Sequence, residues 1–370
     1  MQLSFIVPTR NRADDVRLTL HQLGTLHHPT IRDAEVIIID NDSDVPLDVP
    51  VALDNGWAVT VHRLDSNQGT GARNVGARAA RGDWLIMLDD DSAPLTLDWV
   101  ERLHTASYDI AVIASPIVLR TDSIAPCREA GGLPSVFIGC GAAIRRETFL
   151  ACGGYDESFG YYAEEYDFAA KLLARDLRVV WDPLFVVHHR KVTTNRDMNI
   201  ILERLVVNNT RVILRHAPAR AREQELASLY ARCRVIAERE DAQDGLQSGL
   251  AAVDAGLGDE STPLTDAQWD AFRGVTAVRA HLRRARAVLP FQTARLIEPT
   301  HIAAKHRDVI ENVLEELHVQ TVDSPDADID IVATLSPGPM LDTADMLGQQ
   351  MPGRRILTPW SFALVSAPTA

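Results

Sequence analysis

Apolar and polar positions alternate in blocks along the first half of the chain. Continuous apolar runs end in polar residues at 3–8, 34–40, 57–64 and 84–88. After the first run, Val16, Leu20 and Leu23 share one face of a helix. Continuous apolar strands that alternate with helices are typical of a mostly parallel sheet covered on both faces. The pattern therefore predicts an α/β fold, in which ligands bind beyond the carboxyl ends of the strands.

The following block combines glycine-rich turns with two helices and a closing strand. Glycines occur at 139, 141, 153 and 154, and a longer helix is expected from about Glu164. The apolar stretch Arg178–His189 is predicted to form one strand that ends in two histidines.

The chain becomes mostly helical from about residue 199. We predict a first domain at 1–217 and a helical region at 218–370, which ends in a small β-α-β-like tail. A helix at about 275–289 has an apolar stripe opposite several arginines. This stripe is expected to pack into a core or against a partner subunit, and in the second case the chain would form a homo-oligomer. The alternative is peripheral contact with an anionic membrane.

Composition and charge exclude several classes of partner. The 370 residues carry a formal charge of −14, which disfavours binding to phosphate backbones, so no nucleic-acid partner is expected. No apolar run reaches the ~18 residues that cross a bilayer, and the amino terminus lacks the pattern of a secretory signal. The four cysteines are far apart in the sequence, as is typical of reduced thiols. We therefore expect a cytoplasmic protein, with a peripheral position at the inner membrane face as the alternative.

Three acidic residues stand together where a buried strand ends. Asp89, Asp90 and Asp91 directly follow the apolar run 84–88. Neighbouring carboxylates repel one another unless water or a cation compensates their charge. A solvated turn is the simpler interpretation. However, the polar residues that follow the other strands should meet at the same edge of the sheet. This convergence favours a divalent metal site, and oxygen ligands suit Mg²⁺ or Mn²⁺.

Six motifs, taken in order, resemble the family 2 glycosyltransferases, which have the GT-A fold. They are "FIVPTRNR", "VIIIDNDSD", "NQGTGARNVGARAARGDWLIMLDDD", "GGYDESF", "AEEYDF" and "VVHH". The resemblance extends over about the first 215 residues, and its later part is most similar to the branch of rhamnosyltransferases and O-antigen-type transferases. It implies a Rossmann-like domain that binds a nucleotide-sugar.

The resemblance implies roles for the acidic triplet and for one histidine. Asp91 matches the metal-binding carboxylate of the family, and Asp89 and Asp90 match the positions that face the ribose and the sugar of the donor. The family's second metal ligand is a histidine six residues after a proline, which from Pro183 is His189. Adjacent strand residues point to opposite faces, so only one of the two histidines can serve, and His188 is the alternative.

Further residues are candidates for recognition of the nucleotide. They are Pro8, Thr9, Arg10, Asp40, Asn41, Asp42 and Arg73. A pyrimidine needs both an acceptor and a donor, which Asp40 and Asn41 supply, and Arg73 is placed to reach a base carbonyl or a phosphate. The alternative is that the polar residues after the second strand only stabilise a turn. Many members of the family have aspartate where this chain has Asn41, which leaves the base contact open.

The resemblance also implies a general base at the start of a helix. Inverting members of the family have a Glu-Asp pair there, and this chain has Glu164 and Glu165. A carboxylate in the first helical turn is favoured in its ionised form by the helix dipole. We assign the base to Glu165, with Glu164 and Asp167 as alternatives. Replacement of aspartate by glutamate is the main departure from the family pattern.

These features together predict a metal-dependent inverting glycosyltransferase. Its donor is expected to be a UDP- or dTDP-sugar, and its acceptor a saccharide, a lipid-linked molecule or a small molecule with a hydroxyl group. One alternative is a nucleotide-sugar-binding protein of the same fold with impaired catalysis. Another is a sugar-1-phosphate nucleotidyltransferase, which the lack of glycine after the first strand disfavours.

Overall fold

A computed structural model describes residues 2–31, 33–119, 127–191, 197–257, 261–299 and 306–361. The first part of the chain contains β1 (Gln2–Thr9), α1 (Ala13–Gly24), β2 (Asp33–Asp40), β3 (Ala58–Arg63), α2 (Gly71–Ala79), β4 (Trp84–Met87), β5 (Ser92–Pro94), α3 (Val100–Thr105), β6 (Ile110–Ala114), β7 (Ile117–Val118), β8 (Ala142–Arg145), α4 (Arg146–Ala151), α5 (Glu164–Leu173), β9 (Arg178–Trp181), β10 (Val187–His189) and α6 (Met198–His216).

The second part is helical and then α/β. It contains α7 (Ala219–Glu240), α8 (Gln243–Asp254), α9 (Asp266–Arg273), α10 (Val275–Val288), β11 (Thr293–Ile297), α11 (Arg307–Glu316), β12 (Gln320–Thr321), β13 (Ile329–Val332), α12 (Pro337–Gln350) and β14 (Ile356–Leu357). Among the described residues, no helix has both the length and the apolar character that crossing a bilayer requires.

The central sheet has seven strands in the order β3-β2-β1-β4-β8-β6-β9. All neighbouring pairs are parallel except the two pairs made by β8. Strands β1, β2 and β4 are almost wholly buried, as expected for a sheet covered on both faces. The α/β fold class expected from the sequence is confirmed, and so is the helical region that follows it.

A second sheet shows that Arg178–His189 is not one strand. β9 belongs to the central sheet, whereas β10 lies between β5 and β7 in a sheet of three strands. The chain turns at Asp182, whose carboxylate accepts a hydrogen bond from the backbone N–H of Leu184 at 2.9 Å. The turn separates two apolar runs that the sequence pattern presents as continuous. It also brings His189 opposite Ser92, one residue after the acidic triplet.

The tail forms part of a larger unit than the sequence suggested. Strands β12, β11, β13 and β14 pair in that order, all parallel, and α11 and α12 connect them. We call β11 to β14 with their helices the C-terminal α/β unit. On α10, Val278 and Leu282 of the apolar stripe are fully buried, so this part of the stripe packs within the chain.

Candidate functional site

The acidic triplet lies at the carboxyl end of β4, beside the carboxyl end of β1. The turn after β4 is closed by Ser92, whose hydroxyl accepts a hydrogen bond from the backbone N–H of Asp89 at 2.8 Å. Asp90 and Asp91 are buried, whereas the side chain of Asp89 is 36% exposed. The three carboxylates therefore differ in environment although they are adjacent in sequence.

Asp90 is held by groups from the first strand and the loop after it. Its carboxylate accepts a hydrogen bond from the Thr9 hydroxyl at 2.8 Å and pairs with Arg12 Nη1 at 2.9 Å. Burial raises the pKa of Asp90 to about 7, and the two partners offset this effect only in part. Asp90 is thus oriented by protein contacts rather than left open to solvent.

Asp91 faces His189, the histidine with which the sequence analysis groups it. Asp91 Oδ1 lies 3.1 Å from His189 Nε2, and Asp91 Oδ2 accepts a hydrogen bond from Arg12 Nη2 at 2.7 Å. Burial by itself raises the pKa of Asp91, but hydrogen bonds and charge from His189 and Arg12 hold it well below the usual range. For His189, burial lowers the pKa, and the surrounding acceptors more than offset this and raise it to about 12.

Arg12 is the main feature of the site that the sequence interpretation missed. Its guanidinium contacts Asp90 and Asp91 and also Asp15 on α1, at 2.9 Å. One cation therefore compensates two of the three adjacent carboxylates. The only sequence signal for Arg12 is its place within "TRNR", two residues after the candidate Arg10.

Arg73 reaches the remaining carboxylate from α2. It is buried, donates a hydrogen bond from Nη2 to the Leu88 carbonyl oxygen at 3.1 Å, and forms an ion pair with Asp89. Its charge also interacts with the Glu164 and Glu165 carboxylates. Arg73 thus connects the acidic triplet to the start of α5.

The candidate bases on α5 lie in different surroundings. The Glu165 carboxylate accepts a hydrogen bond from the backbone N–H of Gly139 at 3.0 Å. Glu164 is more deeply buried, and its Oε2 makes no hydrogen bond within the described part of the chain. Burial raises the pKa of both side chains, and Arg73 offsets this in part.

Asp167 is occupied by three basic groups. Its carboxylate lies 2.6 Å from Lys171 Nζ and 2.8 Å from both Arg215 Nη1 and His216 Nε2. Despite complete burial, these contacts hold its pKa well below the usual range. Asp167 therefore joins α5 to α6 and is poorly placed to accept a proton.

The residues after β2 are brought to the same edge of the sheet, but two of them contact protein groups. Asp40 is fully buried, accepts a hydrogen bond from the backbone N–H of Ser43 at 3.0 Å and pairs with Arg63 at 3.2 Å. The Asn41 amide donates to Asn67 at 3.0 Å and to Gly69 at 3.2 Å. These contacts match the alternative in which both residues organise a turn.

Other nucleotide candidates lie closer to solvent. Arg10 donates a hydrogen bond from Nε to the Asp42 carbonyl oxygen at 3.2 Å, and their side chains lie 3.9 Å apart. Both side chains are more than 40% exposed. Pro8 is half-buried within β1. Arg10 and Asp42 thus form the exposed rim of the same edge.

Cys140 lies beside the histidine of the site. Its Sγ lies 3.8 Å from His189 Nδ1. Burial raises the pKa of the thiol to about 11, so the thiol stays protonated and is a poor nucleophile at neutral pH. Cys140 is therefore a packed small residue and not a candidate nucleophile.

The basic residues after β10 are turned toward the protein. Arg190 donates hydrogen bonds to the Thr19 hydroxyl at 2.6 Å and to the Asp15 carbonyl oxygen at 3.2 Å. Lys191 pairs with Glu129 at 2.7 Å. Both side chains therefore have structural partners within the protein.

The donor set fits a divalent cation. Two ligands of an octahedral ion lie roughly 3 Å apart, because each bond is about 2.1 Å long. The Asp91 and His189 atoms have that spacing. Ligand atoms of Asp89, Cys140 and His189 also lie within 4.8 Å of one another. Carboxylate oxygen and neutral imidazole nitrogen suit Mn²⁺, and a bound cation would displace the proton that the surrounding acceptors hold on His189. A thiol that burial keeps protonated contributes little to such a site.

Comparison with known proteins supports the resemblance seen in the motifs. Residues 4–122 match the family described as Glycosyl transferase family 2. An uncharacterised glycosyltransferase of Haemophilus influenzae is 34% identical over 193 residues, which cover 46% of this chain and 62% of that protein. The succinoglycan biosynthesis protein ExoO of Rhizobium meliloti is 33% identical over 114 residues, which cover 30% of this chain and 32% of that protein. The matches thus span less than two thirds of either relative.

A solved structure is similar at a lower level. The mannosyltransferase PcManGT from Pyrobaculum calidifontis, in complex with GDP-Man and Mn²⁺, is 18% identical with a TM-score of 0.46. The superposition covers 76% of this chain and 80% of that one. Similarity at this level carries no functional argument.

Proposed function

We propose that this chain is a glycosyltransferase that moves a sugar from a nucleoside diphosphate to an acceptor hydroxyl with inversion. The observation that carries the proposal is the convergence of Asp89, Asp91 and His189 at the end of β4. Both aspartates lie inside the segment that matches the family. The sequence match at 4–122 supports the reaction class, and the acidic edge of the sheet supports metal dependence.

Asp91 and His189 would hold a divalent cation, Mg²⁺ or Mn²⁺. When bound, the cation would neutralise charge on the leaving diphosphate. Asp89 and Asp90 would face the ribose and the sugar of the donor. Arg12 and Thr9 keep Asp90 in place for this contact.

Glu165 is the proposed general base. Its carboxylate would take the proton from the acceptor hydroxyl while the hydroxyl oxygen bonds to the anomeric carbon. The bond from that carbon to the diphosphate oxygen breaks at the same time, and the diphosphate leaves with the electron pair. A base is most effective when its pKa lies near the working pH, and burial raises the pKa of Glu165 in that direction.

Glu165 is preferred to the other two acids for structural reasons. It is less buried than Glu164, and the Gly139 N–H stabilises its ionised form. The charge of Asp167 is already compensated by basic side chains.

The donor nucleotide in this proposal carries uracil or thymine. Arg10 and Asp42 are the contacts best exposed to it, because Asp40 and Asn41 already bind protein groups.

The first test measures thermal stability with UDP, dTDP and GDP, each with and without Mn²⁺. A nucleotide at 100 times its dissociation constant stabilises the fold by about 2.7 kcal/mol. We expect a Mn²⁺-dependent shift with one nucleotide, abolished by Asp91→Ala and by His189→Gln but retained in His188→Gln. No shift with any nucleotide would contradict the proposal.

The second test is hydrolysis of the matching nucleotide-sugar, in which water takes the place of the acceptor hydroxyl, followed as release of the nucleoside diphosphate. We expect release in the wild type and its loss in Glu165→Gln, which keeps nucleotide binding. Binding without turnover in the wild type would instead indicate the binding protein with impaired catalysis. Equal turnover in wild type and Glu165→Gln would exclude Glu165 as the base.

A further inference from the structure

A segment of the first part of the chain runs beside β7, the neighbour of the strand that carries His189. The Cys127 carbonyl oxygen accepts a hydrogen bond from the Leu119 N–H at 2.7 Å, and the Glu129 N–H donates to the Ile117 carbonyl oxygen at 2.9 Å. These bonds extend the sheet formed by β5, β10 and β7 past β7. We call residues 127–131 the bracing segment.

Glu129 on this segment contacts the histidine of the proposed metal site. Its Oε2 lies 3.6 Å from His189 Nδ1, the ring nitrogen on the side away from Asp91. The same carboxylate accepts hydrogen bonds from Lys191 Nζ at 2.7 and 2.8 Å. Glu129 is largely buried, so its carboxylate is fixed between two basic groups rather than mobile in solvent.

Side chains of α12 hold the bracing segment through Arg128. Asp342 accepts hydrogen bonds from the Arg128 backbone N–H and from its guanidinium, both at 2.8 Å. Asp345 accepts a further one from the guanidinium at 2.9 Å. One residue of the segment is therefore bound by two carboxylates one turn apart on the same helix.

The beginning of α12 also contacts the backbone of the segment. Ser336 donates a hydrogen bond from its hydroxyl to the Gly131 carbonyl oxygen at 3.1 Å. A Cβ added at Gly338 would lie 2.2 Å from the Glu129 carbonyl oxygen. Contact this close requires glycine, so helix and segment are packed backbone to backbone.

This contact lies at the start of α12, directly after β13 of the C-terminal α/β unit. In an open parallel sheet, a ligand binds beyond the carboxyl ends of the strands, at the start of a following helix. Here that position follows β13, and it receives the carbonyl oxygens of Glu129 and Gly131. In this unit, the position at which other open sheets bind a ligand is therefore filled by the bracing segment.

We propose that the C-terminal α/β unit braces Glu129 against His189, and that Glu129 is a positioning residue for the His189 ring. The inference rests on the proposed metal-dependent function. A metal-binding histidine commonly directs its second ring nitrogen to a carboxylate, which fixes the orientation of the ring. Glu129 is the carboxylate that faces this nitrogen, at ion-pair distance, beside the Cys140 Sγ at 3.8 Å, and Arg128 connects the bracing segment to α12.

The test measures Mn²⁺ affinity directly. The protein is titrated with Mn²⁺, and electron paramagnetic resonance measures the concentration of the free ion. Loss of such a carboxylate typically weakens metal binding about 10–100-fold. We expect that range for Glu129→Ala, a smaller loss for Glu129→Gln, which keeps an acceptor oxygen, and a loss in the same direction for the double variant Asp342→Asn/Asp345→Asn. The control is Arg279→Gln, which removes an ion pair with Glu316 within the C-terminal part and should leave Mn²⁺ affinity unchanged.

Thermal unfolding without metal separates positioning from a purely structural role. Unchanged Mn²⁺ affinity in Glu129→Ala would overturn the role of Glu129. If the double variant unfolds at a lower temperature but binds Mn²⁺ with unchanged affinity, α12 does not position Glu129, and that part of the proposal is overturned. If the double variant does not fold, the Glu129 variants still test whether Glu129 supports Mn²⁺ binding. Failure of the wild type to bind Mn²⁺ would overturn the proposed function itself, and the inference with it.

Discussion

Replacement of Asp167 by asparagine is expected to destabilise the fold without removing a catalytic group. The side chain is fully buried and contacts Lys171, Arg215 and His216 at 2.6–2.8 Å. Asparagine keeps the shape and one acceptor oxygen but removes the charge. Breaking a buried ion pair by removing one partner costs about 3–5 kcal/mol.

The structure places the expected loss at the lower end of that range. Arg215 keeps a second carboxylate, Asp156, at 2.8 Å, and the Lys171 side chain is 25% exposed, so water can compensate its charge. We therefore expect a loss of about 3 kcal/mol. At about 2.1 cal/mol/K per residue, the 370 residues have an unfolding entropy of about 0.8 kcal/mol/K, so the unfolding midpoint should fall by about 4 °C.

The pH dependence gives a second check of the same reasoning. The pKa of Asp167 is depressed in the folded state, so its contribution is complete above its unfolded pKa of about 3.9 and is lost as the pH falls below that value. The difference in midpoint between wild type and Asp167→Asn should therefore be constant near neutral pH and shrink in acid. Calorimetry measures it, and Lys171→Met is the matched control with a smaller expected loss. Equal midpoints for wild type and Asp167→Asn at neutral pH, or loss of turnover with an unchanged midpoint, would refute the structural role.

Two further predictions concern a glycine and a cysteine. Gly69 has a φ of +56°, and an added Cβ would lie 2.3 Å from the Gly160 carbonyl oxygen, so Gly69→Ala should cost roughly 2–5 kcal/mol in urea unfolding. Gly56→Ala, at a φ of +87° with open space around it, should cost only about 1–2 kcal/mol, and equal costs would contradict the argument. Because burial raises the pKa of the Cys140 thiol to about 11, iodoacetamide at neutral pH should alkylate the exposed Cys127 and leave Cys140 unmodified. Mass spectrometry of the labelled protein checks this, with labelling in urea as the control, and equal labelling of both thiols in the folded protein would count against it.

The parts of the site that the sequence predicted are those set by local pattern. The acidic triplet follows a strongly apolar strand, so its place at the end of β4 could be inferred without any tertiary contact. The same holds for the start of α5, where Glu164 and Glu165 lie in the first turn. Periodicity and strand ends carry this information because they depend on neighbouring residues only.

The parts that the sequence did not predict depend on contacts between distant residues. Arg12 pairs with Asp91, 79 positions away, and nothing in the pattern distinguishes it from Arg10. The direction of the Asn41 amide, which binds the loop containing Asn67 instead of solvent, is likewise set by tertiary packing. Glu129 lies in a stretch without clear periodicity, so only the structure associates it with His189.

The ion pair between Arg128 and Asp342 has a consequence for the order in which the protein matures during synthesis. The two residues are 214 positions apart. At about 5–20 residues per second, the ribosome completes α12 roughly 10–40 s after the bracing segment. The central sheet can therefore assemble on the nascent chain well before α12, which contacts the bracing segment, has been synthesised. A chain that stalls before Asp342 would have the acidic triplet and His189 but not the helix that contacts Arg128, so under the proposed brace the site acquires its final geometry only once α12 has been synthesised.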